Sequence, residues 1–246
     1  MKYDISQLKE IYRIKKKEII FRLKEFKKIW SDANDEEIFT ELAFCILTPQ
    51  SKAKLCWDSI LELRNQDLLL KGNINQIKQR LNRVRFKNKK AEYIIKAREL
   101  FMKQTCPIVT QKTIEIIPPH PPLEKGGRGD YQVNKGRVCL KPVLNMFDNI
   151  QECRNWLVQS ISGFGYKEAS HFLRNIGFGE KIAILDRHIL KNLHQFRIIK
   201  DIPESMSRAK YLQIEKDMAK FAKEISIPIS HLDLLFWYKE TGEIFK

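Results

Sequence analysis

A glycine-containing segment in the second half of this 246-residue chain restricts its fold more than any other feature. Apolar residues recur at helical spacing on both sides of Gly163-Phe164-Gly165. They are Cys153, Trp156, Leu157 and Ile161 before it, and Ala169, Phe172, Leu173 and Ile176 after it. Glycine adopts a positive φ without strain and lets a second molecule approach its backbone. We therefore predict two helices joined by a tight turn over residues 156–176, with the backbone at Gly163 and Gly165 open to a phosphate. An ordinary antiparallel helix turn is the alternative.

A lysine and an aspartate flank the second helix of this hairpin. If the apolar residues pack inward, Lys167 and Arg174 share another face of the helix. Gly177-Phe178-Gly179 ends the helix, and the apolar residues 182–185 can carry Asp186 back towards Lys167. Asp186 is also predicted to cap the helix that follows it. Capping alone would explain Asp186, and a solvated amine would explain Lys167, so the residues by themselves leave both interpretations open.

These residues resemble the helix-hairpin-helix DNA glycosylases that also cleave abasic sites. In that superfamily the lysine, here Lys167, is the nucleophile, and the aspartate, here Asp186, assists it. Residues 48–51 resemble the segment whose polar side chain fills the gap left by a flipped base, a role that would fall to Gln50. Residues 232–246 resemble the archaeal-type 8-oxoguanine DNA glycosylase/lyase family, in which the terminal lysine enters the base pocket. The resemblance implies an all-α, two-lobed fold with an active-site cleft between the lobes.

The resemblance also implies a bifunctional base-excision-repair enzyme that acts on double-stranded DNA containing 8-oxoguanine or abasic sites. Such an enzyme must extrude the damaged nucleotide, because its glycosidic bond is out of reach within a duplex. Lys167 would attack the sugar C1′, expel the base and form a Schiff base that permits β-elimination of the 3′ phosphate. Asp186 would stabilise positive charge on the sugar and help to deprotonate Lys167. Two alternatives stay open: a glycosylase/lyase for oxidised pyrimidines, and a non-catalytic DNA-binding module.

Two residues near the end of the chain are expected to recognise the base. Trp237 offers an aromatic face for stacking. Lys246 carries a side-chain amine and the α-carboxylate, which accepts hydrogen bonds from a purine edge. Without the resemblance, a tryptophan in an apolar helix is more often a core residue, and terminal residues usually fray. These two roles therefore rest on the resemblance alone.

A basic and aromatic stretch, residues 83–93, predicts a further contact with DNA. Its charges, among them Arg85, suit a phosphate backbone. Phe86 would wedge into the base stack or probe the base opposite the lesion. The alternative is a solvated basic helix start with Phe86 in the core.

The charge of the chain agrees with a polyanionic partner. Lysine and arginine number 45 against 30 acidic residues, which gives a formal net charge of +15. RNA or an acidic surface would satisfy this charge equally well. No apolar run is long enough to span a membrane, and the first residues do not resemble a secretory signal. We expect a soluble, monomeric protein in the cytoplasm of a prokaryote, associated with the nucleoid through DNA.

The cysteines and histidines indicate no cofactor. The five cysteines contain no Cys-x-x-Cys pair, so neither a disulfide framework nor a zinc site is predicted. No cysteine follows Cys153, whereas related glycosylases with an iron–sulfur cluster carry four cysteines beyond the catalytic aspartate. We therefore expect no iron–sulfur cluster, and the histidines show no metal-ligand spacing.

The remaining sequence is mainly of helical character, with few convincing strands. Apolar periodicity predicts helices at residues 5–30, 35–47, 51–63, 74–81 and 91–102. Residues 105–138 are rich in proline and glycine and lack this period. We expect them to form a flexible insertion within a single bilobal domain that spans residues 1–246. An insertion tolerated at the surface without a function is the simplest interpretation of this segment.

Overall fold

The computed structural model describes residues 4–103 and 137–246, and all regular secondary structure within those two ranges is helical. The all-α class is confirmed. The elements in chain order are α1 (Ile5–Asp32), α2 (Asp35–Leu47), α3 (Ala53–Asn65), α4 (Leu68–Lys71), α5 (Ile74–Arg80), α6 (Lys87–Lys103), α7 (Lys141–Leu144), α8 (Ile150–Ser160), α9 (Tyr166–Leu173) with a π-helical extension (Arg174–Phe178), α10 (Arg187–Gln195), α11 (Arg208–Glu224) and α12 (Ile229–Thr241).

Side-chain caps set where several of these helices begin. Before α2, the Asn34 side chain accepts a hydrogen bond from the Glu37 backbone N–H at 3.0 Å, and the Glu37 carboxylate accepts one from the Asn34 N–H at 3.0 Å. This reciprocal capping box satisfies two N–H groups that have no partner within the helix. The acidic residues of its first turn also interact favourably with the positive end of the helix dipole. The predicted start of α2 is thereby confirmed.

The chain packs into two compact units. The first comprises residues up to 33 together with residues 165–246, and the second comprises residues 34–164. The predicted insertion, residues 105–138, lies outside the described ranges except for its last two positions. The expected cleft between lobes stays a prediction.

The first unit is built around a buried cluster to which α1, α10, α11 and α12 contribute. Two side chains of α11 hold the non-helical residues 182–185 against this cluster. Tyr211 Oη accepts a hydrogen bond from the Leu185 N–H at 3.2 Å and donates one to the Ala183 carbonyl at 2.7 Å. Glu215 accepts a hydrogen bond from the Ala183 N–H at 2.8 Å. These bonds satisfy buried backbone groups outside regular structure, and they fix the path of the chain into Asp186.

The second unit is centred on α2. Every residue from Ile38 to Leu47 is buried, as expected for a helix that other elements surround on all sides. The helices α3 and α6 pack against it. This burial fixes the end of α2, and with it the turn at residues 48–51.

Three helices are missing from the sequence predictions: α4, α7 and α11. The first two have four residues each, too few to show a helical period. By contrast, α11 has a clear apolar spacing, with Ile214, Met218 and Phe221 all buried. The two short helices could not be predicted from apolar periodicity, whereas α11 has the spacing of a helix and could have been predicted.

The cysteines differ from one another in their surroundings. Cys139 is disulfide-bonded, which the cysteine spacing did not indicate. Cys45, Cys56 and Cys153 are buried thiols, and burial raises the pKa of the Cys153 thiol to about 12. Among the residues that the structure describes, no group of three or more acidic, histidine or cysteine side chains is placed to hold a metal ion. Within the same ranges, none of the helices has both the length and the apolar composition that crossing a bilayer requires.

Candidate active site and DNA-contact residues

The hairpin turn requires glycine at one of its two glycine positions. Gly163 has a φ of +85°, and a Cβ atom built there would lie 2.5 Å from the Tyr93 ring. Both the backbone conformation and the close approach exclude other residues. Gly165 has a φ of −106°, which is extended backbone open to any residue, and a Cβ there would lie 3.3 Å from the end of the Glu168 side chain. The turn predicted from both glycines thus depends on Gly163.

Glu168 organises the start of α9. Its Oε2 atom accepts a hydrogen bond from the Gly165 N–H at 3.1 Å, so in this structure a carboxylate holds the N–H that was expected to face a phosphate. Its Oε1 atom lies 3.6 Å from Lys167 Nζ, and the Lys167 side chain is 24% exposed. The candidate nucleophile therefore lies in the first turn of a helix, half-buried, beside an acidic side chain.

One face of the α9 segment carries polar residues into the interior of the first unit. His171 and Arg174 follow Lys167 at helical spacing, and each is only 6% exposed. Arg174 Nη1 lies 3.4 Å from Asp233 Oδ2 on α12, and the Arg174 guanidinium stacks 4.8 Å from the centre of the Phe26 ring. The predicted shared face of Lys167 and Arg174 is thus directed inward, and it ends at a buried carboxyl group.

Asp233 is the electrostatic centre of this region. Burial raises the pKa of Asp233 to about 6, the Arg174 charge opposes that rise, and the Asp186 carboxylate adds to it. The Lys167 charge also lowers this pKa, as the smallest of these influences. The contact with Arg174 is long, so it recovers only part of the hydration that the carboxyl group loses on burial. Arg174 therefore contacts this buried acid directly, and Asp186 and Lys167 lie near enough to influence its pKa.

Asp186 lies at the end of the buried run 182–185 and at the beginning of α10. Its Oδ1 atom accepts a hydrogen bond from the Ile189 N–H at 2.8 Å, which confirms the predicted cap. Its electrostatic influence on Asp233, shared with Lys167, agrees with the predicted return of the chain towards that lysine. The cap and the proposed catalytic task are compatible, because the cap holds the carboxylate in one orientation.

The last residue of the chain lies beside His171. Burial, followed by the charges of Arg174 and Lys167, holds the pKa of His171 well below its usual value, so its imidazole is neutral at physiological pH. A hydrogen-bonding interaction with the backbone of Lys246 acts in the opposite direction, and the Lys246 charge lowers the pKa further. The structure therefore brings Lys246 to the same face of α9 that carries Lys167.

Trp237 lies on α12, one helical turn after Asp233. It is partly exposed, whereas Leu235 and Phe236 next to it are fully buried. Its ring meets the edge of the His188 ring, with centroids 5.1 Å apart and planes at 88°. The indole is therefore partly buried, and part of it is accessible for stacking.

The candidate DNA-contact residues of the second unit lie in two turns. Gln50 is exposed with a φ of +55°, and Phe86 is 54% exposed with a φ of +59°. The guanidinium of the exposed Arg85 lies 5.5 Å from the Phe86 ring, and the Arg85 N–H donates a hydrogen bond to Ser51 Oγ at 3.1 Å. The alternative that placed Phe86 in the core is wrong.

Three residues near these candidates were not predicted from the sequence. His171 lies four residues after Lys167, and this spacing on a helix is a usable signal. Asp233 is an acid within an apolar helix, which is typical of a buried polar contact. Lys90 is buried although it belongs to the basic stretch at 83–93, and nothing in its local sequence separates it from Lys89.

The described helices and the candidate site agree with a known class of proteins, the helix-hairpin-helix DNA glycosylases. Residues 19–117 and 128–227 match the family model described as 8-oxoguanine DNA glycosylase. The chain belongs to this 8-oxoguanine DNA glycosylase family.

Individual relatives match over nearly their full length. The 8-oxoguanine DNA glycosylase/AP lyase of Fusobacterium nucleatum is 40% identical over 241 residues, covering 98% of this chain and 97% of the relative. The protein of the same name from Methanocaldococcus jannaschii is 34% identical over 251 residues, with 98% and 99% coverage. A crystal structure of the M. jannaschii 8-oxoguanine glycosylase/lyase, in complex with a 15-mer DNA containing 8-oxoguanine, is similar with a TM-score of 0.76 and 33% identity. That match covers 98% of this chain and 100% of the crystallised one.

Proposed function

We propose that this protein is a bifunctional base-excision-repair enzyme that removes 8-oxoguanine from double-stranded DNA and cleaves the strand at the resulting abasic site. The names of its relatives and the DNA in the M. jannaschii complex support the substrate class. The observation that carries the proposal is that one unit holds both a half-buried Lys167 amine in the first turn of α9 and an Asp186 carboxylate fixed at the start of α10.

Lys167 is the proposed nucleophile. Its neutral amine attacks C1′ of the deoxyribose, and the glycosidic bond breaks with its electron pair leaving on the base. Loss of the amine proton and opening of the sugar give a Schiff base between Lys167 and C1′. Removal of a C2′ proton then expels the 3′ phosphate by β-elimination. The half-buried position of Lys167 in the first turn of α9 suits this role, because it limits competing water without closing the approach of a sugar.

Asp186 is proposed to stabilise the positive charge that develops on the sugar as the base departs. A fixed carboxylate does this without reorganising during the reaction, and the hydrogen bond from the Ile189 N–H supplies that fixed orientation. The same carboxylate is suited to accept a proton from the Lys167 ammonium. Asp233 takes no direct part in these steps.

Trp237 and Lys246 are proposed to recognise the extruded base. The accessible part of the Trp237 indole offers a stacking face, and Lys246 offers hydrogen-bond donors on its side-chain amine. 8-Oxoguanine differs from guanine by a C8 oxygen and a protonated N7, so a pocket that pairs with these groups rejects the undamaged base. The position of Lys246 against His171 supports this assignment.

Gln50, Arg85 and Phe86, together with the backbone of Gly163 and Gly165, are proposed to hold the DNA. Gln50 fills the space of the extruded nucleotide, and Phe86 wedges into the stack. Arg85 and the hairpin backbone contact phosphates, and at Gly165 the phosphate takes the place of the Glu168 carboxylate on the N–H. Phosphate contacts carry no sequence information. We propose that the protein does so as a cytoplasmic monomer without a metal ion or an iron–sulfur cluster.

Borohydride trapping tests the proposed chemistry. Reduction of the Schiff base should link the protein to duplex DNA containing 8-oxoguanine, and Lys167→Gln should abolish this product while DNA affinity is retained. Lys181→Gln is the matched control, because it removes an exposed lysine of the same unit. If the unchanged protein gives no trapped product with either lesion, the non-catalytic alternative is correct. If Lys167→Gln traps as well as the unchanged protein, a different amine forms the Schiff base and Lys167 is not the nucleophile. Faster release from duplexes with an oxidised pyrimidine would instead favour the pyrimidine-specific alternative.

A further inference from the structure

Lys90 is a buried cation within an otherwise exposed basic stretch. Lys90 is only 3% exposed, whereas Lys87 and Lys89 on the same turn of α6 are exposed. Lys90 Nζ donates hydrogen bonds to the Leu47 carbonyl at 2.7 Å, the Pro49 carbonyl at 2.7 Å and Ser51 Oγ at 3.0 Å. These acceptors match the three donors of an ammonium group. Lys90 is therefore built into the protein and does not offer its charge to a phosphate.

Two of the groups that accept hydrogen bonds from Lys90 belong to the residues immediately before and after Gln50 in the sequence. Pro49 precedes Gln50 and Ser51 follows it, so Lys90 holds the turn on both sides of the exposed glutamine. Lys90 also contacts the second turn, because its backbone N–H donates to the Phe86 carbonyl at 3.1 Å. Ser51 Oγ also accepts a hydrogen bond from the Arg85 N–H at 3.1 Å. Lys90 and Ser51 thus connect the turn of Gln50 with the turn of Phe86.

Both connected residues have an unfavourable backbone conformation. Gln50 and Phe86 are non-glycine residues in the left-handed region, with φ of +55° and +59°. This conformation is rare for a bulky side chain, and it persists only where surrounding contacts enforce it. The exposed Phe86 ring cannot supply those contacts by burial. The hydrogen bonds that Lys90 and Ser51 make to the backbone of the two turns can enforce this conformation.

We infer that Lys90 is a positioning residue for DNA, which holds Gln50 and Phe86 as one rigid pair for entry into the base stack. The inference rests on the proposed function, since it assigns a support to the proposed DNA contacts. Lys90 touches neither the DNA nor the reacting sugar. Its loss impairs the opening of a duplex and leaves the lysine chemistry of the first unit intact.

Two substrates separate these effects when tested with Lys90→Met. The first is a duplex containing 8-oxoguanine, which must be opened, and the second is a single strand with an abasic site, from which no base has to be extruded. We expect single-turnover base release from the duplex to fall at least about tenfold, since misplacing positioning groups by about 1 Å costs up to ~100-fold. Cleavage of the single strand should change by less than about threefold. Lys96→Met, which removes an exposed charge from the same helix outside the basic stretch at 83–93, should leave both rates within about twofold.

A fluorescent base gives a readout that a loss of general stability would not produce. With 2-aminopurine next to the lesion, binding by the unchanged protein should raise fluorescence as the stack opens, and saturating Lys90→Met should give less than half of that rise. Ser51→Ala provides a milder variant in case Lys90→Met does not fold. It removes only the hydroxyl that the Lys90 ammonium and the Arg85 N–H share, and it should reduce duplex release several-fold in the same substrate-dependent way.

The inference is overturned if both substrates lose activity equally, or if neither Lys90→Met nor Ser51→Ala slows release from the duplex. Gln50→Ala and Phe86→Ala distinguish this result from a failure of the proposed function. If these two variants slow duplex release and the Lys90 and Ser51 variants do not, the DNA contacts stand and the positioning role falls. If they leave duplex release unchanged, there is no contact to position. An unchanged protein that gives no borohydride-trapped product would remove the proposed function itself.

Discussion

The surroundings of Lys167 and the pair Gln50 and Phe86 are constructed in opposite ways. Near Lys167, charged groups are buried together, and the buried acid Asp233 has a pKa raised to about 6. Around Gln50 and Phe86, the side chains are exposed and the backbone is strained. The first arrangement controls charge through burial, and the second controls geometry through enforced backbone conformation. The proposed chemistry and the proposed grip on DNA therefore depend on different physical terms.

This difference makes the two units separable by experiment. Changes near Lys167 should affect the reaction on any DNA that reaches the site, whether paired or single-stranded. Changes at the exposed pair should matter only where a duplex must be opened. The comparison fails if a change near Lys167 affects only duplex DNA, or if a change at Gln50 or Phe86 affects single-stranded DNA equally.

Asp186→Asn should have the largest effect. Asparagine is as good a helix cap as aspartate, so α10 should stay intact while the negative charge is lost. We expect base release to slow by about 100- to 1,000-fold, as when a single electrostatic stabiliser of a transition state is removed. Single-turnover release from duplex DNA measures the rate, and thermal unfolding checks the fold.

The capping role of Asp186 can be separated from its charge with Asp186→Ala. Alanine removes both, so its unfolding free energy should fall by about 1 kcal/mol while its rate resembles that of Asp186→Asn. If Asp186→Asn keeps its rate and Asp186→Ala does not, capping alone explains this residue.

Asp233→Asn should change how stability depends on pH. Asp233 has a pKa near 6 in the folded protein against 3.8 as its ordinary value, so the folded state holds its proton over a range where the unfolded state has lost it. Its contribution to stability is therefore full below pH 3.8 and is lost as the pH rises through about 6. This difference between the two pKa values corresponds to roughly 3 kcal/mol of unfolding free energy.

Urea unfolding at a series of pH values measures this effect. The unfolding free energy of the unchanged protein, minus that of Asp233→Asn, should fall by on the order of 3 kcal/mol between pH 4 and pH 7. Loss of the Arg174 partner adds an offset that is constant over this range, because the guanidinium stays charged. A difference that does not vary with pH would show that Asp233 is not the buried acid described above.

Local features of this molecule follow from its sequence. The hairpin, the cap at Asp186 and the capping box of α2 each depend on residues within a few positions of one another. The family resemblance adds Trp237 and Lys246, whose roles no local pattern indicates. The predictions of the hairpin helices, of the start of α2 and of the cap at Asp186 succeed because neighbours along the chain determine those conformations.

Contacts between distant residues could not be predicted in the same way. Arg174 and Asp233 are 59 positions apart, and Lys90 meets Leu47 across 43 positions. In sequence, Lys90 does not differ from the exposed lysines beside it, because its burial is decided by the packing of α6 against α2. The need for glycine at Gly163 likewise has a part that is not local, since the Tyr93 ring occupies the space of a side chain.

Gly163→Ala should destabilise the protein, whereas Gly165→Ala should have little effect. Alanine at Gly163 meets both an unfavourable φ and the Tyr93 ring, so we expect a loss of about 1–3 kcal/mol. At Gly165 the backbone is extended and the nearest atom is at the end of the flexible Glu168 side chain, so the loss should stay below about 1 kcal/mol. Urea unfolding of both variants measures the difference. Equal losses would mean that the hairpin does not impose the geometry described for Gly163.

Removal of Lys246 should have the smallest effect and the most selective one. The deletion removes the backbone and the side-chain amine of Lys246 from their place beside His171. We expect release of 8-oxoguanine to slow by about tenfold, equivalent to roughly 1.4 kcal/mol, because a pocket loses discrimination when its polar partners are displaced. Cleavage at a preformed abasic site needs no base recognition and should change by less than about threefold on that argument. Equal loss of both activities on deletion would show that Lys246 supports the structure of α9 and does not recognise the base.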